Sequence, residues 1–264
     1  MTEERDRQIV QAVVRAIELL EIISREQPIG ISELARLSSL KKTTAARLVS
    51  TLERMGMVEQ DQADHRFSLT LQVFEMGSRV LQKLDVRNQA RPDIERFVNK
   101  EGKSVLLSIL NHDEIVYVDK VEAQELFRIR TMVGGRAPIH CSASGKAILA
   151  FLEPELRLKL LESKPLKAYT PKSITDIAAL EEDFRISRER GYALDWEERH
   201  AGLCAVGAPV FDYNNRVVAS ISVPRMAALT TEDELAKLGE QVSLLAQEVS
   251  KRLGWLKGNK YRGD

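Results

Sequence analysis

Cysteine is nearly missing from these 264 residues: only Cys141 and Cys204 occur. Two thiols make no disulfide framework, and both are expected to be reduced core residues. Histidine is as scarce. His65, His112, His140 and His200 are scattered, with no C-x-x-C or H-x-x-x-H spacing. No metal site and no cofactor is therefore expected. Long hydrophobic runs are lacking too, since no stretch approaches the roughly 18 apolar residues of a membrane helix. The opening run, MTEERDRQIV, is charged and has no apolar secretion core. These absences predict a cytoplasmic protein with no membrane partner. Charge of one sign is also wanting: 39 basic residues face 39 acidic ones. If such a chain binds nucleic acid, it must gather its positive charge locally. Internal repeats and low-complexity tracts do not occur.

What remains is 44% hydrophobic and 30% charged, a globular composition. The length suits one large domain or two ordinary ones. Ile9, Val10, Val13 (or Val14), Ile17, Leu20 and Ile23 recur at helical spacing, and Pro28 and Gly30 end that helix. A short helix follows, with Ser32 as N-cap, Glu33 in its first turn, and Leu34, Ala35 and Leu37 on its buried side. After a tight turn at 38–40, a further helix is expected over 41–55, stopped by Gly56. The period then changes. Residues 57–60 and 66–69 read as short strands around a turn at 62–65. This order of helices, sharp turn, helix and hairpin is that of a winged helix-turn-helix.

Residues 71–84 return to helical spacing through Leu71, Phe74, Gly77, Val80, Leu81 and Leu84, as a linker helix, with a break near Asp85. The expected division is 1–70, 71–85 and 86–264. The last part opens with a helix carrying Ile94, Phe97 and Val98. Strands are expected over 105–110, 115–118, 126–131, 204–210 and 216–223, the last two joined by a hairpin at 212–215. Helices are expected after Ser142, over 155–162 and 176–190, and over 231–253. Strands with helices at both ends make an α+β domain, not a parallel dinucleotide fold.

The 41–54 helix carries the first functional reading. Ala45, Leu48, Val49 and Leu52 share one face; Thr43, Ala46, Arg47 and Ser50 share the other. That outer face is short-chained and polar, fit to lie in a groove. Lys41, Lys42, Thr43 and Thr44 crowd the first turn, where lysines and hydroxyls meet phosphate oxygens. Arg47 is the candidate for a base-edge contact, and Arg66 in the wing for a neighbouring phosphate or the minor groove.

Beyond these patterns, the chain resembles the IclR family of bacterial transcription regulators. The matching runs are Arg15–Leu20, Glu33–Ala35, Thr43–Leu48, Leu52–Gly56, Gly135–Ala147, Thr170 with Ser173 and Ile174, Arg190–Glu198, Gly202–Pro209 and Val217–Val223. It departs at Ala46, where the family often has a larger side chain, and at Ser39 and Thr70, where it often has glycine. The resemblance implies a winged helix, a linker helix and a GAF-like effector-binding domain. It implies homodimers or homotetramers on a double-stranded DNA operator. It also implies control of a catabolic operon, here expected as repression, by a small organic acid such as a sugar, keto or aromatic acid. It places Ala143, Ser144, Asp195, Ala205 and Ser222 at the effector. Small residues and free N–H groups at a helix start admit a carboxylate, Asp195 accepts from a hydroxyl, and Ser220, on the strand face of Ser222, is an added contact. Cys204, beside Ala205, is expected to point away. Leu126, Ile129 and Met132 are candidate walls. The rival reading is a cysteine-dependent redox enzyme on a GAF-like domain; no catalytic residue is expected under the preferred one.

Overall fold

Residue contacts divide the chain into two units, 1–83 and 84–264. The computed structural model describes residues 10–82, 85–124 and 131–256. The first unit runs α1 (Gln11–Glu26), α2 (Ile31–Leu37), α3 (Lys42–Arg54), β1 (Val58–Gln60), β2 (Phe67–Leu69) and α4 (Leu71–Gln82). The two strands pair antiparallel with Val58 opposite Leu69 and Gln60 opposite Phe67. One cluster holds the unit together: Leu19 and Ile23 of α1, Ile29, Leu34, Val49 and Leu52, closed by Val58 and Phe67 from the hairpin.

Three local expectations need correction. On α1 the buried residues are Leu19 and Ile23, whereas Val10, Val13 and Ile17 are 62%, 54% and 52% exposed. The helical period was sound, but this helix carries two apolar lines, and only the one through Leu19 and Ile23 has a partner within the unit. Ser32 is not an N-cap: α2 starts two residues earlier than that would require, after Gly30 in extended conformation, with no side-chain cap. Leu37 is exposed at the end of α2. In the turn that follows, Ser39 adopts φ +55°, a left-handed value that glycine holds at less cost. On α4, Leu71 and Phe74 are also exposed, at 78% and 69%.

The second unit contains α5 (Asp85–Glu101), β3 (Val105–Asn111), β4 (Glu114–Val121), β5 (Arg136–Pro138), α6 (Ala143–Leu149), α7 (Pro154–Glu162), α8 (Ile177–Arg190), β6 (Ala193–Trp196), β7 (Leu203–Phe211), β8 (Val217–Met226) and α9 (Glu232–Arg252). Six strands form one antiparallel sheet in the order β5-β4-β3-β8-β7-β6. Neither β5 nor β6 was expected; each is too short to show a period of its own. The strand expected at 126–131, with Leu126 and Ile129, lies outside the described residues apart from Thr131, which is not in a strand. Ile9 and Leu84 also lie outside them.

The sheet is covered on both faces. Gly207 of β7 and its partner Ser222 of β8 face α6. The next residues along, Val206, Ala208, Ile221 and Val223, alternate to the other face and are wholly buried. There α9 packs, tied by Ser250 Oγ accepting from the Phe211 amide at 2.9 Å. Beyond α6, the side chains of Ile148, Leu149, Leu161, Leu180 and Phe184 form a second core with α7 and α8. The helix α9 begins in a capping box, Thr231 with Glu234. The architecture is thus α+β as expected. Among the described residues no helix is long and apolar enough to cross a membrane.

Candidate nucleic-acid interface and ligand cavity

In the first unit, α3 presents its sides as its period requires. Ala45, Val49 and Leu52 are buried, while Thr43, Ala46, Arg47 and Ser50 are exposed, with Lys41 and Lys42 at the helix start. Thr44 is half-buried at the edge of that face. Lys41 is the N-cap residue in extended conformation, and no side chain caps the helix. The amides of Lys42 and Thr43 and the two lysine side chains therefore stand open, while the Thr44 amide donates to Lys41 O at 2.9 Å. Among the described residues, Lys41, Lys42 and Arg47 form no ion pair. Arg66 is different. Its Nη1 donates to the carbonyl of Pro28 at 3.1 Å, which ties the wing to the segment before α2. The wing turn itself is acidic: Asp61 Oδ1 accepts from the Ala63 amide at 2.7 Å and Asp64 Oδ1 from the Arg66 amide at 3.0 Å. Thr70 Oγ1 donates to the carbonyl of Gly56, so the wing's last residue is anchored to the end of α3.

The second unit contains a cavity of about 480 Å³ over the start of α6. Of the residues expected at an effector, Ala143, Ser144, Asp195, Ala205 and Ser222 line it. Ser220 does not. It lies one pleat further along β8, fully buried, with its hydroxyl 3.0 Å from Ser108 Oγ. Met132 is a wall residue. Cys204, expected to point away, also lines the cavity, which wraps round the start of β7 and meets Leu203, Cys204 and Ala205 in a row. Sequence reasoning missed Tyr117, Arg136, Arg199 and His200. No period marks them; they meet only because β4, β5 and the turn after β6 end at the same place.

Glycine makes the floor. A Cβ on Gly207 would come within 2.4 Å of the Ala143 carbonyl oxygen, and one on Gly145 within 2.4 Å of the Ile139 carbonyl oxygen. Neither neighbour is a flexible side-chain end, so the start of α6 sits this deep only because both positions lack side chains. Ser142 caps α6, its Oγ accepting from the Gly145 amide at 3.2 Å and donating to Pro138 O at 2.6 Å. Ser144 Oγ donates to Ser222 Oγ at 2.8 Å across the floor.

Asp195 is the acid of the cavity. Burial pushes its carboxyl up to about 6, against the pull of the backbone N–H of Glu198, which it accepts at 2.8 Å. Behind it lies a buried cluster outside the cavity. Lys146, on α6, pairs with Glu198 at 2.5 Å and with Asp183 of α8 at 3.1 Å. Burial raises the Glu198 carboxyl against the opposing effect of Lys146. The turn after β6 is held from outside by Thr170 Oγ1, donating to Glu197 O at 2.6 Å, and Ser173 Oγ, donating to Glu198 O at 2.5 Å. Both thiols are buried, and burial pushes Cys141 up to about 12 and Cys204 to about 11. A reactive thiol needs the opposite shift. Among the described residues no cluster of histidine, cysteine and acidic side chains could hold a metal ion.

Residues 12–62 match the family model described as the IclR helix-turn-helix domain, and residues 78–251 match that of the bacterial transcriptional regulator IclR C-terminal domain. Over 251 residues the chain is 31% identical to the transcriptional repressor IclR of Escherichia coli strain K12, a match covering 94% of this chain and 92% of that protein. The crystal structure of Thermotoga maritima IclR is similar at 32% identity and a TM-score of 0.78, over 93% of this chain and 99% of that one. An IclR homologue from Microbacterium hydrocarbonoxydans, solved in complex with 4-hydroxybenzoate, is similar at 25% identity and a TM-score of 0.78, over 92% and 99% of the two chains.

Proposed function

The chain belongs to the IclR family of transcriptional regulators, and from that premise we propose that it is an oligomeric repressor of a catabolic operon, released or retained by a small carboxylate effector. The helix-turn-helix domain binds DNA, with α3 as the reading helix. Lys41, Lys42, Thr43 and Thr44 meet phosphates, Arg47 and Ser50 meet base edges, and Arg66 supports the wing. The effector occupies the cavity over α6. Its carboxylate approaches Ala143 and Ser144, where small side chains leave the backbone open, and Asp195 accepts a hydroxyl.

The observation that carries this reading is the cavity itself: five residues from four segments of the chain, each expected at an effector, line one walled space. The relative in Escherichia coli is a repressor, and the Microbacterium relative holds an aromatic hydroxy acid. Both support the finer assignment. Homodimers or homotetramers are part of the proposal, because two half-sites one helical turn apart, or multiples of it, need two reading helices. Effector binding shifts the population of subunit arrangements and so the spacing of those helices. A redox enzyme finds no support in two buried thiols with raised pKa.

The test is a titration of the full chain on an operator selected from random duplexes, followed by anisotropy, with sugar, keto and aromatic acids added. One acid class is expected to change operator affinity at least tenfold and to raise the melting temperature. Tight binding of an acid that leaves operator affinity and complex size unchanged sinks the coupling.

A further inference from the structure

One cavity side chain is left out of balance. Arg199 follows β6 in the turn held by Thr170 and Ser173, and its guanidinium is engaged at two of three nitrogens. Nε donates to His200 Nε2 at 3.2 Å, and Nη2 donates to the carbonyl of Arg136 at 3.2 Å. Its plane lies over Tyr169, with Cζ 5.8 Å from the ring centre. The third nitrogen, Nη1, is buried and has no hydrogen-bond partner. Among the described residues Arg199 forms no ion pair, whereas Arg136, the other guanidinium lining the cavity, pairs with Glu114 at 3.4 Å.

The charge of Arg199 acts inward. It favours the ionised forms of Tyr117, Cys141 and Asp195, which sit on three different segments around the cavity. A guanidinium does not lose its proton, and a buried charged donor left unmade is costly. Two of its nitrogens are already pinned, so the guanidinium is held at the cavity wall before any ligand arrives.

We infer that Arg199 is the residue that selects a negatively charged effector, its guanidinium, which lines the cavity and is paired with no acidic side chain among the described residues, supplying the positive charge that a carboxylate of the ligand meets. The inference rests on the carboxylate-effector reading above and deepens it. Arg136 is already matched by Glu114, so Arg199 is the cavity-lining guanidinium whose charge is left for a ligand. Asp195 and the Ser144–Ser222 pair then read the rest of the molecule.

The test compares acids with their own primary amides on the full chain by calorimetry: gluconate with gluconamide, pyruvate with pyruvamide, and 4-hydroxybenzoate with 4-hydroxybenzamide. In the wild type at least one acid is expected to bind about 30-fold tighter than its amide, the range a hydrogen bond to a charged group supplies. Arg199→Gln is expected to bring that ratio below about threefold while amide affinity stays within about twofold, and Arg199→Lys to keep a ratio of about tenfold or more. A ratio that survives in Arg199→Gln overturns the assignment, as does an equal loss for acid and amide, which marks a role in holding the turn only. Failure of every acid and amide to bind the wild type overturns the carboxylate reading itself, and this inference with it.

Discussion

The two units carry their proposed functional surfaces in opposite ways. In the first, the surface is convex and local: fourteen consecutive positions, 41–54, hold nearly all of it, and the helical period alone sorts inside from outside. In the second, the surface is concave and assembled from β3, β4, β5, α6, β6, β7 and β8, whose residues lie as far apart in sequence as Leu106 and Pro224. A convex helix face tolerates change, because its residues touch solvent. A cavity floor built on backbone approach does not. The difference predicts that single substitutions on the exposed face of α3 alter binding without altering stability, and that those in the cavity floor alter both.

The largest expected effect tests the cavity side. Gly207→Ala places a Cβ against the backbone of Ala143 and Ser144. It is expected to cost about 3 kcal/mol or more, because the clash is with main chain and no rotamer relieves it. Thermal unfolding of the full chain should show the loss, effector stabilisation should vanish, and the unliganded operator affinity should persist. A parallel fall in operator affinity would break the comparison by showing that the units do not respond separately. Next in size is Arg47→Ala. It is expected to weaken the selected operator by about 1–3 kcal/mol and to relax preference at one base position. Melting temperature and effector affinity should not move. Equal weakening on all DNA sequences would instead give Arg47 a phosphate role.

These contrasts also explain what was legible in advance. Periodicity located nearly every described helix, and the wing was readable because Gly56 and the 62–65 turn frame two short strands. It failed on α1, where a second apolar line, Val10, Val13 and Ile17, mimics a core face. In the second unit the five cavity residues Ala143, Ser144, Asp195, Ala205 and Ser222 were reached through resemblance, not through pattern. Ser220 shows the limit of strand alternation: it shares a face with Ser222, but the cavity ends before it. Arg199 and Tyr117 had no local signal, because an arginine in a turn and a tyrosine in a strand look ordinary until the sheet order puts them together.

A smaller effect sharpens the electrostatics of the cavity. The Asp195 carboxyl is raised by burial in the folded protein to about 6, from the 3.8 usual for an aspartate. The native state thus holds its proton when the unfolded chain has lost it, and stability falls as pH rises from about 4 to about 6. Asp195→Asn removes that slope. It is expected to stabilise the protein above pH 6 by on the order of 1 kcal/mol, less than the full shift because the bond from the Glu198 amide weakens, and to lose the advantage below about pH 4. Melting curves of the two proteins across that range give the difference directly. A gain that is constant with pH would remove the burial of the charge as its cause.

The smallest effect belongs to the convex unit and concerns its turn. Ser39 sits at φ +55° between α2 and α3, a conformation that costs a residue with a Cβ roughly 1 kcal/mol relative to glycine. Its side chain makes no hydrogen bond among the described residues that would offset the strain, whereas Ser38 Oγ donates to Leu34 O at 2.7 Å. Ser39→Gly removes the Cβ but loosens the unfolded chain, so the net gain is expected to be a few tenths of a kcal/mol. The sign is the informative part. A gain with unchanged operator affinity means that the turn is merely strained, and that α3 is held by the core through Ala45, Val49 and Leu52. A gain in stability joined to weaker operator binding means that the strain sets the angle of α3, and the convex surface then depends on backbone geometry as the cavity does.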